Sequence, residues 1–380
     1  MSAGAPMGAD AARQGPSGPL AGLKVLEVGG LGPVPFAGMM LADMGTDIVR
    51  IERRGAGRIE AGATVRGRRV LELDLKAAAD VDALRALAAE ADVLVEGYRP
   101  GVMERLGLGP DALLAANPKL VYARMTGWGQ DGPLAQRAGH DIDYIAITGA
   151  LHAIGPAGQN PSVPLNLVGD YGGGAMYLLT GILAAVIEAS RSGKGQVVDA
   201  AICDGTVSML AMFHRLLGEG AWRDERGANL LDGGAPFYRT YECKDGGHMA
   251  VGALEPQFNA QWREGAGLEG PAFDKQLDRA SWPQAHEQAE AMFRTRTRDE
   301  WTAHFEQTDA CVAPVLSLQE APEHPHLKAR GCFVQVNGQV QPAPAPRFSR
   351  TPSSVRASTL LQSPEELLGE WKTTGDDDPG

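Results

Sequence analysis

The chain has 380 residues, of which 44% are hydrophobic, so it carries a sizeable core and is long enough for about two domains. Its formal net charge of −12 excludes a general nucleic-acid binder, which needs an excess of Lys and Arg. Cys203, Cys243, Cys311 and Cys332 are widely spaced with no CxxC pair, which fits reduced thiols in a cytoplasmic protein better than a disulfide framework.

The first segment, residues 1–19, is rich in Ala, Gly and Pro and reads as a flexible arm. It lacks the basic start and apolar run of a signal peptide. Lys24 to Val28 (KVLEV) then reads as a buried strand, Phe36 to Met44 as a helix and Asp47 to Ile51 as a second strand. Val70 to Leu75 predicts a third strand, Ala77 to Ala91 a helix, and Asp92 to Glu96 and Leu120 to Met125 two further strands. Strands alternating with helices at this spacing imply βαβ units and a parallel sheet. Tyr171 to Ser190 reads as one long helix, Gln196 to Ala201 as a strand and Asp204 to Gly218 as a Met-rich helix. No stretch reaches the ~18 apolar residues that span a bilayer. After the glycine-rich Gly227 to Gly234, short strands (Arg239 to Cys243, His248 to Val251) and amphipathic helices mark a smaller domain. Pro342 to Pro346 reads as an extended linker and Pro364 to Lys372 as a last short helix. The end, Asp376 to Gly380, is neither a peroxisomal nor an endoplasmic-reticulum address.

Two local patterns invite a functional reading. Gly29-Gly30-Leu31-Gly32 follows the first strand, and Glu52 ends the second, where a dinucleotide fold keeps its ribose carboxylate. The fingerprint fails: Pro35 stands where its last glycine belongs, and Pro33 removes an N–H donor. A plain glycine-rich turn is the better reading. The second pattern is basic. Arg50, Arg53, Arg54, Arg58, Arg66, Arg68, Arg69 and Lys76 lie among Glu52, Glu60, Glu72 and Asp74. Guanidinium forks suit phosphate, so the cluster reads either as a site for the nucleotide end of coenzyme A or as a solvated basic loop.

Four longer segments carry a resemblance. They are ADVLVEGYRPGVMERLGL (Ala91 to Leu108), KLVYARMTGWGQDGP (Lys119 to Pro133), GHDIDY (Gly139 to Tyr144) and LNLVGDYGGG (Leu165 to Gly174). With the later APRFSRT (Ala345 to Thr351), they resemble the family III CoA transferases, and within them the α-methylacyl-CoA racemase branch of bacterial, mycobacterial type. The resemblance runs from about Leu20 to about Thr351. It implies an α/β fold: a large Rossmann-like CoA-binding domain at 20–197 and 338–375, and a small α+β domain at 229–315. Segments 198–228 and 316–337 would connect them. It also implies an interlocked homodimer, each subunit threading the other, with the active site between the large domain of one and the small domain of its partner. The substrate would be an acyl-CoA thioester, with no cofactor beyond the CoA that is part of it and no metal.

Carried over residue by residue, the resemblance makes His140 and Asp170 the catalytic pair and Glu255, in GALEP, a supporting carboxylate. It assigns CoA contacts to Arg53, to Glu72, Leu73, Asp74, Leu75 and Lys76, to Gly97, Tyr98 and Arg99, to Arg105, and to Gly139, Asp141, Ile142, Asp143 and Tyr144. The bulky Leu73 is expected to contribute backbone only. The chemistry asks for such a set. Racemisation removes a proton from one face of Cα and returns one to the other, and the thioester carbonyl delocalises the charge as an enolate. Two groups on opposite faces, differing in protonation, alternate as acid and base. Backbone N–H groups from Asp170 to Gly173, with Gly172 and Gly173 at a helix start, are the expected enolate donors.

Each residue also has a bland reading. His140 alone reads as a helix-start histidine, and Asp170 and Glu255 as residues capping helices. His324-Pro325-His326 lacks the partners of a metal site. The rival function is a CoA transferase forming an acyl-aspartyl anhydride at Asp170. It has no need of His140, and the sequence GALEP lacks the GGGG-type loop of several transferases. A non-catalytic CoA-binding module would need neither residue.

Overall fold

The computed structural model describes residues 17–55 and 62–373. Most of the expected N-terminal arm, Arg58 and Glu60 of the basic cluster, and the C-terminal Asp376 to Gly380 lie outside the described residues.

In chain order the elements are β1 (Lys24–Val28), α1 (Pro33–Asp43), β2 (Asp47–Arg53), β3 (Arg69–Leu73), α2 (Ala78–Glu90), β4 (Val93–Glu96), α3 (Val102–Arg105), α4 (Pro110–Ala116), β5 (Val121–Thr126), α5 (Asp141–Ala146) and α6 (Ala150–Ala153). A π-helical segment (Leu167–Ala175) runs into α7 (Met176–Ser192), followed by β6 (Val197–Ala201), α8 (Ile202–Met209) and α9 (Ala211–Gly218). Then come β7 (Tyr238–Glu242), β8 (His248–Gly252), α10 (Pro256–Ala266), α11 (Trp282–Phe293), α12 (Arg298–Phe305), β9 (Val312–Val315) and α13 (Pro325–Ala329). The chain closes with β10 (Phe333–Val336), β11 (Gln339–Pro342), β12 (Thr359–Leu360) and α14 (Pro364–Thr373).

Two compact units result. The larger takes residues up to 148, Leu165–Met209 and residues from 330 on; the smaller takes Gly149–Pro164 and Leu210–Ala329. The larger unit holds a seven-stranded sheet in the order β12-β3-β2-β1-β4-β5-β6, every neighbouring pair parallel. Strands buried on both faces explain the apolar runs at Val25, Leu26 and Val28, interrupted only by the buried Glu27, and at Val93, Leu94 and Val95. One face packs α1 and α7 (Leu41, Leu178, Ile182), the other α2, α4 and α14 (Leu84, Leu87, Leu113, Leu367). Strand order reverses between β1 and β4, where open parallel sheets bind ligands beyond their carboxyl ends. The chain's last segment returns to this sheet: β12 pairs with β3, and the Trp371 indole donates to Asp47 at 2.6 Å. The smaller unit packs α10 to α12 around an antiparallel sheet, β7-β8-β9, over Trp262, Phe293, Trp301 and Phe305.

Two helices differ from expectation. The long helix starts at Leu167, not Tyr171, and its first nine residues are π-wound. Together Leu167–Ser192 form a 26-residue helix long and apolar enough to cross a membrane by length and composition, contrary to the expectation that no stretch is. Its inner face (Leu178, Leu179, Ile182, Ala185) instead lies in the core of the larger unit. The Met-rich helix is broken at Leu210 into α8 and α9.

The basic cluster is neither a solvated loop nor a single phosphate site. Arg66 and Arg68 are buried: Arg66 clamps Asp43 at 2.5 and 3.0 Å, and Arg68 donates to Glu27 at 3.1 Å. Arg50 reaches Glu27 at 2.5 Å, Arg54 holds Asp80 at 2.6 and 2.8 Å, and Arg69 bridges Asp47 and Glu370. Arg53 and Lys76, among the described members, are exposed at the carboxyl ends of β2 and β3 and free of ion pairs.

Candidate functional site

At the switch point the larger unit has a cavity of ≈ 590 Å³. Its walls are the loops leaving β1 (Gly30, Leu31, Gly32), β4 (Gly97, Tyr98, Arg99) and β5 (Thr126, Gly127, Trp128). The mouth of α5 and the π segment close it, bringing His140, Asp141, Tyr144 and Asp170 to one space. A cavity of this size accommodates a small organic ligand.

Asp170 sits in the first turn of the π segment, and its backbone N–H donates to the Asp141 carboxylate at 2.6 Å. Asp141 accepts from Gly169 as well, and its Oδ1 is buried without a partner. Burial first, and the charge of Asp141 second, push the Asp170 carboxyl above its usual value near 3.8. A hydrogen bond from Asn166, at 3.5 Å, and the field of His140 pull the other way. Asp170 is thus a carboxyl inclined to keep its proton. His140 is exposed and stands at the N-cap of α5, its backbone N–H donating to Asp143 at 2.9 Å. The bland helix-start reading is therefore correct, and His140 lines the cavity as well.

Tyr144 supports the wall: its hydroxyl donates to the Gly139 carbonyl, and its ring meets Trp128 edge-on at 4.7 Å. A side chain at Gly127 would enter that ring, with Tyr144 only 2.0 Å from its Cβ. The failed fingerprint has a use here. Gly32 has φ +60°, and a Cβ there would lie 2.5 Å from Asp170 Oδ2. The glycine admits the carboxylate of Asp170, not a pyrophosphate. Gly32→Ala should therefore destabilise the protein by about 1–3 kcal/mol through its backbone conformation alone. It should also displace Asp170, lowering turnover by more than about tenfold. Melting curves and steady-state kinetics check both, and a fully active variant would mean that the carboxylate can move freely.

Of the CoA contacts expected from the sequence, Gly97, Tyr98, Arg99, Gly139, Asp141 and Tyr144 line the cavity. Tyr98 N–H is anchored by Glu96 at 2.7 Å, which in turn pairs with Arg124 at 2.9 Å, so the β4 loop rests on a buried ion pair. Ile142 and Asp143 are exposed on α5, and Arg105 is exposed at the end of α3. Leu73 is buried in the core, so only its backbone can reach a ligand. Leu75 packs at the margin of that core. Glu72 accepts from the Gly55 N–H at 3.2 Å, and the Asp74 carboxylate caps the Lys76 N–H at 3.1 Å. All of these from Arg53 to Lys76 lie at the carboxyl ends of β2 and β3, on the same edge of the parallel sheet as the cavity.

Two of the expected enolate donors are used otherwise. Asp170 N–H goes to Asp141, and Tyr171 N–H to the Asn166 carbonyl at 3.1 Å. Gly173 packs against α8, where its carbonyl would be 1.9 Å from a Cβ at Gly205, and Gly172 faces Met209. These glycines bring two helices together. Glu255 belongs to the smaller unit, where it is the N-cap residue of α10; burial first, and the Glu255 charge second, push the Cys311 thiol up. Sequence reading missed Arg137, Trp128 and Asn166. Arg137 sits in an irregular loop with no periodicity to mark it; Trp128 and Asn166 lie within the segments KLVYARMTGWGQDGP and LNLVGDYGGG, which are their only signal. Among the described residues no His, Cys, Asp and Glu cluster could hold a metal ion.

The model of CoA-transferase family III matches residues 20–365. The chain is 45% identical over 356 residues to an α-methylacyl-CoA racemase of Mus musculus, covering 93% of both proteins. It is 43% identical over the same length to the Homo sapiens racemase, again covering 93% of each. Among solved structures it resembles a CAIB/BAIF family protein from Brucella suis at a TM-score of 0.78 and 25% identity, covering 93% of this chain and 100% of that one.

Proposed function

We infer, from a chain that belongs to CoA-transferase family III and is 45% and 43% identical to two α-methylacyl-CoA racemases over most of its length, that it interconverts the epimers of 2-methylacyl-CoA thioesters. The observation that carries the mechanism is the meeting of His140 and Asp170 in one cavity at the sheet's switch point. Asp170, buried and beside a second carboxylate, holds a proton more readily than an exposed acid and so is equipped to deliver one. His140 takes the opposite role on the other face of Cα, and the roles exchange for the reverse reaction.

The CoA end lies along the carboxyl edge of the sheet, over Arg53, Lys76, Arg99 and Arg105, with Arg137 added to the expected set. Arg99 and Arg137 line the cavity with no carboxylate in ion-pair range among the described residues, which suits a phosphate ligand. Glu255 supports His140 from the small domain of a second subunit in an interlocked homodimer. Leu165, Leu167, Met176, Tyr177, Val207 and Met209 are large apolar side chains left exposed, as a subunit contact requires.

A single 2-methylacyl-CoA epimer incubated with the enzyme in D2O should gain deuterium at Cα and yield the other epimer. Transfer of CoA to an added carboxylic acid, with no label at Cα, would replace this reading with the transferase one.

A further inference from the structure

Arg53 and Arg54 are neighbours at the end of β2, yet the structure gives them different surroundings. Arg53, the last residue of the strand, is exposed and makes no ion pair among the described residues. Arg54 closes a two-pronged contact on the Asp80 carboxylate, through Nε at 2.8 Å and an outer nitrogen at 2.6 Å. Asp80 is only 6% exposed and lies in the first turn of α2, where an acid commonly serves its own helix. Here the carboxylate serves two other segments: besides Arg54 it accepts the Asp74 backbone N–H at 2.6 Å. The hydrogen bonds from Arg54 hold the Asp80 carboxyl below its usual value near 3.8, so the clamp stays charged across the neutral range.

Asp80 thereby joins the carboxyl ends of two parallel strands. On the β2 side, Arg54 follows directly on Arg53. On the β3 side, Asp74 passes the constraint on. Its carbonyl accepts the Ala77 N–H at 2.8 Å and its carboxylate the Lys76 N–H at 3.1 Å, closing the turn that carries Lys76. Glu72, near the end of β3, accepts the Gly55 N–H at 3.2 Å and ties the two strand ends a second time. Arg53 pairs in register with Leu73, so Arg53 and Lys76 leave the sheet from adjacent strands.

We propose that Asp80 is a positioning residue for the CoA end of the substrate: by clamping Arg54 and the Asp74 turn, it holds Arg53 and Lys76 side by side to receive phosphate groups. The proposal rests on the placement of CoA along this edge of the sheet, and Asp80 itself touches no substrate. Charge and geometry give it opposite signs. If charge alone counted, Asp80 would weaken binding, because it neutralises a third cation beside the anion. Exposed charges are screened over about 8 Å at physiological salt, so a freed Arg54 adds little. Cations already fixed by the fold lose less freedom when the ligand binds, and this effect is the larger.

Steady-state kinetics of Asp80→Asn test it, with a 2-methylacyl-CoA and with the matching acyl-pantetheine thioester, which lacks the nucleotide. The KM for the CoA ester should rise about tenfold with kcat unchanged, and the KM for the pantetheine ester should stay at the parent's value. Arg54→Gln should behave alike, and the double variant should be no worse than either single one. Asp82→Asn, in the exposed Arg85–Asp82 pair of the same helix, is the control and should change neither KM. If Asp80→Asn misfolds, Arg54→Lys, which keeps the charge and loses the fork, carries the same test. A fall in the KM for the CoA ester would show that Asp80 acts through charge alone, and equal rises for both esters that it only supports the fold; either overturns the proposal. Arg53→Gln separates the proposal from the placement of CoA. A raised KM there with none in Asp80→Asn defeats the positioning role alone, whereas no change in Arg53→Gln removes the nucleotide from this edge, and the proposal with it.

Discussion

Asp170→Asn and His140→Gln should each lower epimerisation by about 10²–10⁴-fold, because each removes one of the two groups proposed to exchange a proton with Cα. The KM for acyl-CoA should change little, since neither group carries the nucleotide end. The two variants differ in a second readout. With one partner intact, a variant can still lift or return a proton on its own face. Asp170→Asn and His140→Gln should therefore wash deuterium into opposite epimers more readily than they invert either. Full epimerase activity in either variant would remove that residue from the mechanism.

Asp170→Asn should also stabilise the protein at neutral pH. Folding raises the Asp170 pKa above its usual value near 3.8, so the folded state binds this proton more tightly than the unfolded one. Its favourable contribution is present below that value and is lost as pH rises through the higher, folded value. Above that range the ionised group is a liability, and the amide removes it. The melting temperature of Asp170→Asn minus that of the parent should be larger at pH 8 than at pH 3. Equal differences would mean that the carboxyl is not strained by its surroundings. A site that costs stability in exchange for a proton of the right acidity is a common bargain in enzymes.

Glu27→Ala is the second large effect, and it falls on stability. Glu27 is 1% exposed and is the shared acceptor of Arg50, at 2.5 Å, and the wholly buried Arg68, at 3.1 Å. Removing it strands a buried guanidinium, which typically costs about 3–5 kcal/mol. The urea midpoint should fall accordingly. Glu370→Ala is the comparison: it touches the Arg69–Glu370 bridge, whose acid is 47% exposed, and a surface pair is worth about 0–1 kcal/mol. Equal losses in the two variants would show that Arg68 finds another acceptor, such as the Pro35 or Arg66 carbonyls it already contacts.

These arginines also mark a limit of sequence reading. Arg50 to Lys76 look like one basic cluster because charge was counted along the chain. The compensating carboxylates, Glu27, Asp43, Asp47 and Asp80, lie 22 to 41 residues away from Arg66, Arg68, Arg50, Arg69 and Arg54 in sequence. Only the pairing of β1, β2 and β3, with α1 and α2 packed back on the sheet, brings them within hydrogen-bond range. The exposed remainder, Arg53 and Lys76, is what an anion can still reach.

The sequence by itself determined six of the seven strands of the large sheet, because strands buried in a parallel sheet need apolar runs and each run here ends in turn residues, whereas the two-residue, exposed β12 carries no such run. It also determined the family, through ordered motifs, and marked His140 and Asp170 within them as the candidates for the proposed pair. Tertiary structure decided the rest. The π winding that carries Asp170 accompanies two long-range contacts: Asp141 capturing the Asp170 N–H, and the close approach of Gly173 and Gly205. Gly32 is required because Asp170 lies against it, across 138 residues of chain. Such contacts have no local period or propensity to announce them, since their partners meet only once the sheet has assembled.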